Sequence, residues 1–176
     1  MPSRRRLLSA LGPAALGLVA GCAAAETTTG TVSRKRVTVA VPRQVGDAVE
    51  ASVALLAFEP DRGLVHGEYD PEHAGAAVAE GTLAVSASLH ERLADRFAAV
   101  RYGVDVVPGD GGTPANGLVT RGAFDRLPLG GTATVETHTG DDGSGRLRVQ
   151  TVAPPERAPS AVTVSQFDLD ERVDDG

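Results

Sequence analysis

Apolar side chains recur at every second position over much of the stretch from Lys35 to Gln166, and this period of two is the strongest constraint the chain places on its fold. Val37, Val39 and Val41 alternate with Arg36, Thr38 and Ala40 as far as Pro42, the pattern of a half-buried strand. Val49, Ala51, Val53, Leu55 and Ala57 make a second apolar face. From Ala54 to Phe58 the opposite face is apolar too, which predicts a central strand covered on both sides. Glu59-Pro60-Asp61 breaks it. Further strands are expected around Leu83 to Ala87, Tyr102 to Val106 and, more weakly, Leu118 to Phe124. The clearest hairpin joins 131–138 to 146–152, with Ala133 and Val135 facing inward against Leu147 and Val149 across a turn at Asp141 to Gly145. Pro154, Pro155 and Pro159 precede a last strand at Val162, Val164 and Gln166.

One segment departs from this period. Ser88 followed by Glu91 fits a capping box, and Leu89, Leu93, Phe97 and Val100 then fall on one face. A helix over about 89–99, packed on the sheet, is predicted. Its other face mixes Glu91, Arg92, Asp95 and Arg96 and lacks the basic stripe of a membrane-surface helix. Seven to nine short strands with Gly/Pro turns and one helix predict a mainly β fold, an antiparallel β-sandwich immunoglobulin-like in outline. The inter-sheet disulfide and buried Trp of true immunoglobulin domains are absent, since the chain has one Cys and no Trp.

The N-terminus reads as an address. Arg4, Arg5 and Arg6 precede a fourteen-residue apolar stretch, Leu7 to Ala20, interrupted by Gly12, Pro13 and Gly17. As a helix it would rise about 21 Å, short of the ~30 Å hydrocarbon core, and the layout is that of a cleavable export signal. Leu18-Val19-Ala20-Gly21-Cys22 resembles the lipobox of secreted lipoproteins, which implies cleavage before Cys22 and a diacylglycerol group on its thiol. Ser3-Arg4-Arg5-Arg6-Leu7-Leu8 resembles a twin-arginine signal with Arg4 and Arg5 as the pair, although Leu7 stands where Phe is commoner; export in the folded state is implied. The chain also has no Ile, one Lys (Lys35) against sixteen Arg, and one Asn (Asn116). Signal and composition together resemble a lipoprotein of halophilic archaea, a resemblance limited to residues 1–22 and composition.

The expected organisation is a signal peptide at 1–21, a lipidated Cys22 with a Thr-rich tether to 33, one β domain at 34–167 and a solvated acidic tail at 168–176. The first 21 residues hold three arginines and no acid, so the remainder carries 14 basic against 23 acidic side chains, a net −9. That balance argues against a nucleic-acid partner, and an aromatic content of 3 % argues against a stacking platform for bases. A single Cys excludes an internal disulfide and a CxxC redox pair.

The sharpest chemical cluster is His66-Gly67-Glu68-Tyr69-Asp70-Pro71-Glu72-His73. On a strand from Leu64 to Asp70, His66, Glu68 and Asp70 would share one face, and a turn at Pro71 would fold His73 back as a further ligand. Two imidazoles with carboxylates suit a transition metal such as zinc, iron, manganese or nickel. The bland alternative is an acidic edge strand in an acidic protein. His90 and His138 read as exposed polar histidines. Asp141 to Gly145 reads as a hairpin turn, and the Gly-rich loop 109–112 has no phosphate-cradle signature.

Function is therefore expected to be that of a lipid-anchored extracytoplasmic β domain on the outer face of the cytoplasmic membrane. It would be non-enzymatic, binding an envelope protein, a glycan or a small ligand through loops 59–82 and 108–117, with no cofactor. The alternative is a metal-binding protein or metal-dependent hydrolase built on His66, Glu68, Asp70 and His73. A ligand-free structural spacer at the cell surface is a third candidate.

Overall fold

The computed structural model describes residues 26–43 and 46–174, so Arg4, Arg5 and Cys22, expected as export signal and lipidation site, lie outside the described residues. Ten strands and four short helices follow in the order β1 (Glu26–Val41), β2 (Val49–Glu59), β3 (Leu64–Tyr69), α1 (Pro71–Ala74), β4 (Val78–Ala79), β5 (Thr82–Leu83), α2 (Ala87–Arg96), β6 (Ala99–Val107), β7 (Ala115–Val119), α3 (Arg121–Arg126), β8 (Thr132–Thr139), β9 (Gly145–Ala153), β10 (Ala161–Gln166) and α4 (Leu169–Asp174). A single 3₁₀ turn, Gly75–Ala77, links α1 to β4. The chain is mainly β, sandwich-like, as the alternation predicts.

Eight strands form one sheet in the order β10-β3-β2-β1-β6-β7-β9-β8, and β8 also pairs with β1. The second contact is available because β1 is sixteen residues long. On one edge Thr31 to Ala40 face β6; on the other, Glu26 to Thr31 face β8 and Arg34 to Val41 face β2. Strands β1, β6, β7, β9 and β8 thus close a ring, leaving β2, β3 and β10 as a wing. Gly30 sits where the ring draws tight. A Cβ there would lie 2.7 Å from the Pro108 nitrogen, so only glycine fits.

A register shift between Val32 and Arg34 reverses which side chains of β1 point inward. Before it Thr28, Gly30 and Val32 are buried; after it Lys35, Val37 and Val39 are. Val53, Leu56, Val65, Val104, Val106, Ala133 and Val135 meet them in one core, and Phe124 of α3 is its largest fully buried side chain.

Several local expectations are corrected. The sheet is mixed, because β7 runs parallel to β9 and β10 parallel to β3. The Thr-rich stretch 26–33, expected as tether, is strand: alternate residues bury against β8, and that pairing partner lies over a hundred residues away. Helix α2 starts two residues before the expected site, because Ser86 and not Ser88 accepts the Leu89 N–H at 3.2 Å. It ends at Arg96, since Phe97 already has extended backbone. Of its expected apolar face, Leu89 and Leu93 are buried in the helix and Phe97 just past it, while Val100 is half-buried on β6.

The expected weak strand at 118–124 stops at Val119. Thr120 caps α3, and the helix turns Phe124 into the core. The acidic tail is also partly helical, for Leu169 and Val173, four apart, give α4 an apolar face and Leu169 is fully buried. The hairpin of β8 and β9 and the last strand β10 stand where the alternation places them.

Candidate functional site

The four residues expected to share a metal go three separate ways. His66, on β3, has its Nδ1 3.2 Å from the Glu59 carboxylate on β2. Glu68 receives a bidentate pair of hydrogen bonds from Arg172 of α4, at 2.6 and 2.7 Å, and the same guanidinium lies over the Phe167 ring. Those bonds hold the Glu68 carboxyl below the usual carboxylate range.

Asp70 breaks the alternation. β3 ends at Tyr69, and Asp70 turns inward as the N-cap of α1 with Pro71 in the first helical turn. Only Asp70 and His73 meet. Among the described residues no three His, Cys, Asp or Glu side chains come close enough to hold a metal ion.

The Asp70–His73 pair is a buried polar centre. Both side chains are almost fully buried, at 5 % and 6 % exposure. Asp70 Oδ1 accepts the His73 backbone N–H at 2.8 Å and faces His73 Nδ1 at 2.9 Å, while Oδ2 accepts the Leu169 N–H at 2.8 Å. Burial works to raise the Asp70 carboxyl, but these hydrogen bonds outweigh it and hold the group below its ordinary range. An ionised Asp70 takes its proton-bearing partner from Nδ1, so a neutral His73 carries its lone pair on Nε2.

That nitrogen has no hydrogen-bond partner and sits 3.8 Å from Glu72 Oε1. The imidazole is wedged against Phe97, with ring centroids 5.2 Å apart. A carboxylate-oriented imidazole is the base half of a nucleophilic dyad. The adjoining cleft, floored by Leu89 and Leu93 and edged by Arg92 and Arg96, is lined by no Ser, Thr or Cys. The arrangement fastens three elements: Asp70 ties the end of β3 to α1 and, through Leu169, to α4.

A second buried polar group escaped the sequence reasoning. Lys35, the only lysine, is 2 % exposed. Its Nζ donates to the carbonyls of Leu83 at 2.6 Å and Leu127 at 2.9 Å, and lies 4.2 Å from the centre of the Phe124 ring. Burial pushes its pKa down to about 8, with Asp125 pulling the other way. The signal was present in the sequence, since Lys35 has the parity of Val37 and Val39 and is the one lysine among sixteen arginines. Its compact ammonium reaches two carbonyls and a ring at once.

Of the other histidines, His90 is half-buried, its Nδ1 2.7 Å from the Tyr102 hydroxyl, which corrects its reading as an exposed residue. Burial pushes Tyr102 up to about 12. His138 is exposed on β8 opposite Arg146.

The turn between β8 and β9 is built on Asp142, which accepts from the Ser144 hydroxyl at 2.6 Å and the Ser144 N–H at 3.1 Å. Together with Arg146, these bonds hold the Asp142 carboxyl down to about 2. Beside that turn, between β7, α3 and the β8–β9 hairpin, lies a cavity of about 340 Å³ edged by Arg126, His138, Arg146 and Arg148.

No family model, curated protein or solved structure matches this chain.

Proposed function

We propose that this protein is a lipid-anchored extracytoplasmic β domain, exported by a twin-arginine signal, that acts as a non-enzymatic binding module on the outer face of the cytoplasmic membrane. The observation that carries the proposal is the position of Cys22. It is the only cysteine, it closes the lipobox-like run Leu18 to Cys22, and it stands four residues before the first residue of β1. A lipid on that thiol would be joined almost directly to the longest strand of the sheet. Four residues span at most about 14 Å, so the Glu26 end of β1 would be held next to the bilayer. Two acyl chains, each contributing about 0.8 kcal/mol per buried CH₂, suffice for stable attachment. Among the described residues no helix is long and apolar enough to cross a membrane. The arginine-rich composition and acidic balance fit a protein that stays hydrated in high salt.

The direct test is Cys22→Ser in the full-length chain, expressed in a host with both export and lipidation machinery. The variant is expected in the medium, or held as an unprocessed precursor, while the wild type floats with membranes. A Cys22→Ser protein of mature size that still floats with membranes would sink the anchor. Replacing Arg4 and Arg5 together by Lys should leave the precursor inside the cell; unchanged export would remove the twin-arginine route.

A further inference from the structure

We infer that the cavity between β7, α3 and the β8–β9 hairpin is a binding site for a phosphate group carried on an ester. Arg126 from α3 and His138, Arg146 and Arg148 from the hairpin edge it, and its lining includes no Asp or Glu. That is a notable imbalance in a chain with 23 acidic and 17 basic residues.

The three guanidiniums have donors to spare. Arg146 is engaged by Asp142 through Nη2 at 3.2 Å, and Arg148 meets Glu136 only loosely, through Nη1 at 3.7 Å. Arg126 has its Nε on the Gly122 carbonyl at 3.2 Å and is in no ion pair among the described residues. Each guanidinium carries five N–H donors, so each keeps several free.

Their number selects the ligand. A carboxylate presents two oxygens on one edge, whereas three forks and an imidazole around one space suit an anion that presents oxygens in several directions, as a phosphate group does. Leu118 and Val149 provide an apolar wall for the substituent on such an ester.

Register sets where this cavity faces. Glu26, the first residue of β1, pairs with Thr137, and His138 beside it pairs with Arg146. The cavity rim is therefore one step along β8 from the end of β1 that the lipid would hold. In this respect the inference rests on the anchoring proposed above, and it distinguishes two sources for the same chemistry: the phosphate of a lipid headgroup and a free phosphate ester. An anionic membrane repels a chain of net negative charge, and a phosphate-accepting cavity at the held end offsets that repulsion locally.

The test uses the full lipidated chain in nanodiscs of a neutral, phosphate-free galactolipid, titrated with inorganic phosphate while the arginine Nε–H and His138 ring signals are followed by NMR. Saturable shifts at Arg126, Arg146, Arg148 and His138 are expected. They should weaken about tenfold or more in an Arg146→Gln/Arg148→Gln variant, whose altered side chains are exposed and leave the core intact. Phosphatidylglycerol nanodiscs that produce the shifts unaided identify the headgroup as the source. Shifts that need added phosphate in both lipids exclude the headgroup and identify a free phosphate as the source. No shift under any condition overturns the inference, as does an equal loss in a control pair, Arg43→Gln/Arg62→Gln, far along the chain from the cavity. A chain that fails to enter nanodiscs refutes the anchor instead, and the phosphate titration in solution still decides the cavity.

Discussion

Asp70→Ala should lower stability by about 3–5 kcal/mol, the usual cost of stranding the partners of a buried charged group. Three donors lose their acceptor together: the His73 and Leu169 backbone N–H groups and the His73 ring. For a chain of this size the melting temperature should fall by roughly 10 °C, and amide exchange at Leu169 should rise ahead of the rest of the sheet as α4 comes loose. Asp70→Asn separates charge from shape. It keeps one acceptor oxygen but points an NH₂ group at a donor, so it should fall between wild type and Ala. A melt of Asp70→Ala within 2 °C of wild type, on the order of a surface change, would show that the pair contributes little.

The same group fixes the acid limb. The Asp70 carboxyl is lower in the folded chain than in the unfolded one, and so is that of Glu68, under the hydrogen bonds of Arg172. As pH falls the unfolded chain binds these protons first. The stabilisation is therefore complete above about pH 5 and is lost as pH drops through the folded values. Denaturant midpoints measured from pH 6 to pH 2 should fall steeply for wild type and less steeply for Asp70→Asn. Parallel curves would count against the assignment.

Lys35 should act in the opposite direction, and at the other end of the pH scale. Its pKa falls from 10.5 to about 8 on folding. Between those values the unfolded chain holds a proton that the folded chain has released, so stability rises with pH across this window. At about 1.4 kcal/mol per pH unit the gain approaches 3 kcal/mol, an order-of-magnitude figure. Lys35→Met should abolish the rise, and at neutral pH it should be close to neutral or stabilising, because the cost of burying an ammonium disappears while two carbonyls lose a donor. Lys35→Arg should destabilise by overfilling the space under Phe124.

Because Lys35 is the only lysine, amine acylation reads its burial directly. Beyond the chain's own N-terminal amine, the folded protein should acylate slowly and the urea-unfolded protein fast. Rapid acylation of the folded chain would place the ammonium at the surface and end the argument.

The period of two was enough to find most of the strands, because half-burial leaves its mark on the local sequence whatever the partner. Val37 and Val39, Ala133 and Val135, and the hairpin turn at Asp142 were all legible in this way. The helix face of Leu89 and Leu93 was legible for the same reason, but its start was not, since Ser88 with Glu91 has the capping-box spacing while the folded chain caps at Ser86.

Alternation says which side chains share a face and nothing about which strand lies alongside. Tertiary pairing alone made a strand of the Thr-rich stretch, by setting Glu26 to Thr31 against Thr132 to Thr137, and alone set β10 parallel to β3. It also reversed the parity of β1 between Val32 and Arg34, which put Thr28 and Gly30 inside on the other side of the shift. The candidate site followed the same division. The sequence by itself determined that His66, Glu68, Asp70 and His73 lie within eight residues, and that Cys22 stands alone behind a signal-like run. Only the folded chain decided that β3 stops at Tyr69, turning Asp70 toward His73 and Leu169 and leaving Glu68 to Arg172. The reason is physical: a buried carboxylate goes where N–H donors are assembled, and the Leu169 donor comes from a helix 99 residues further along the chain.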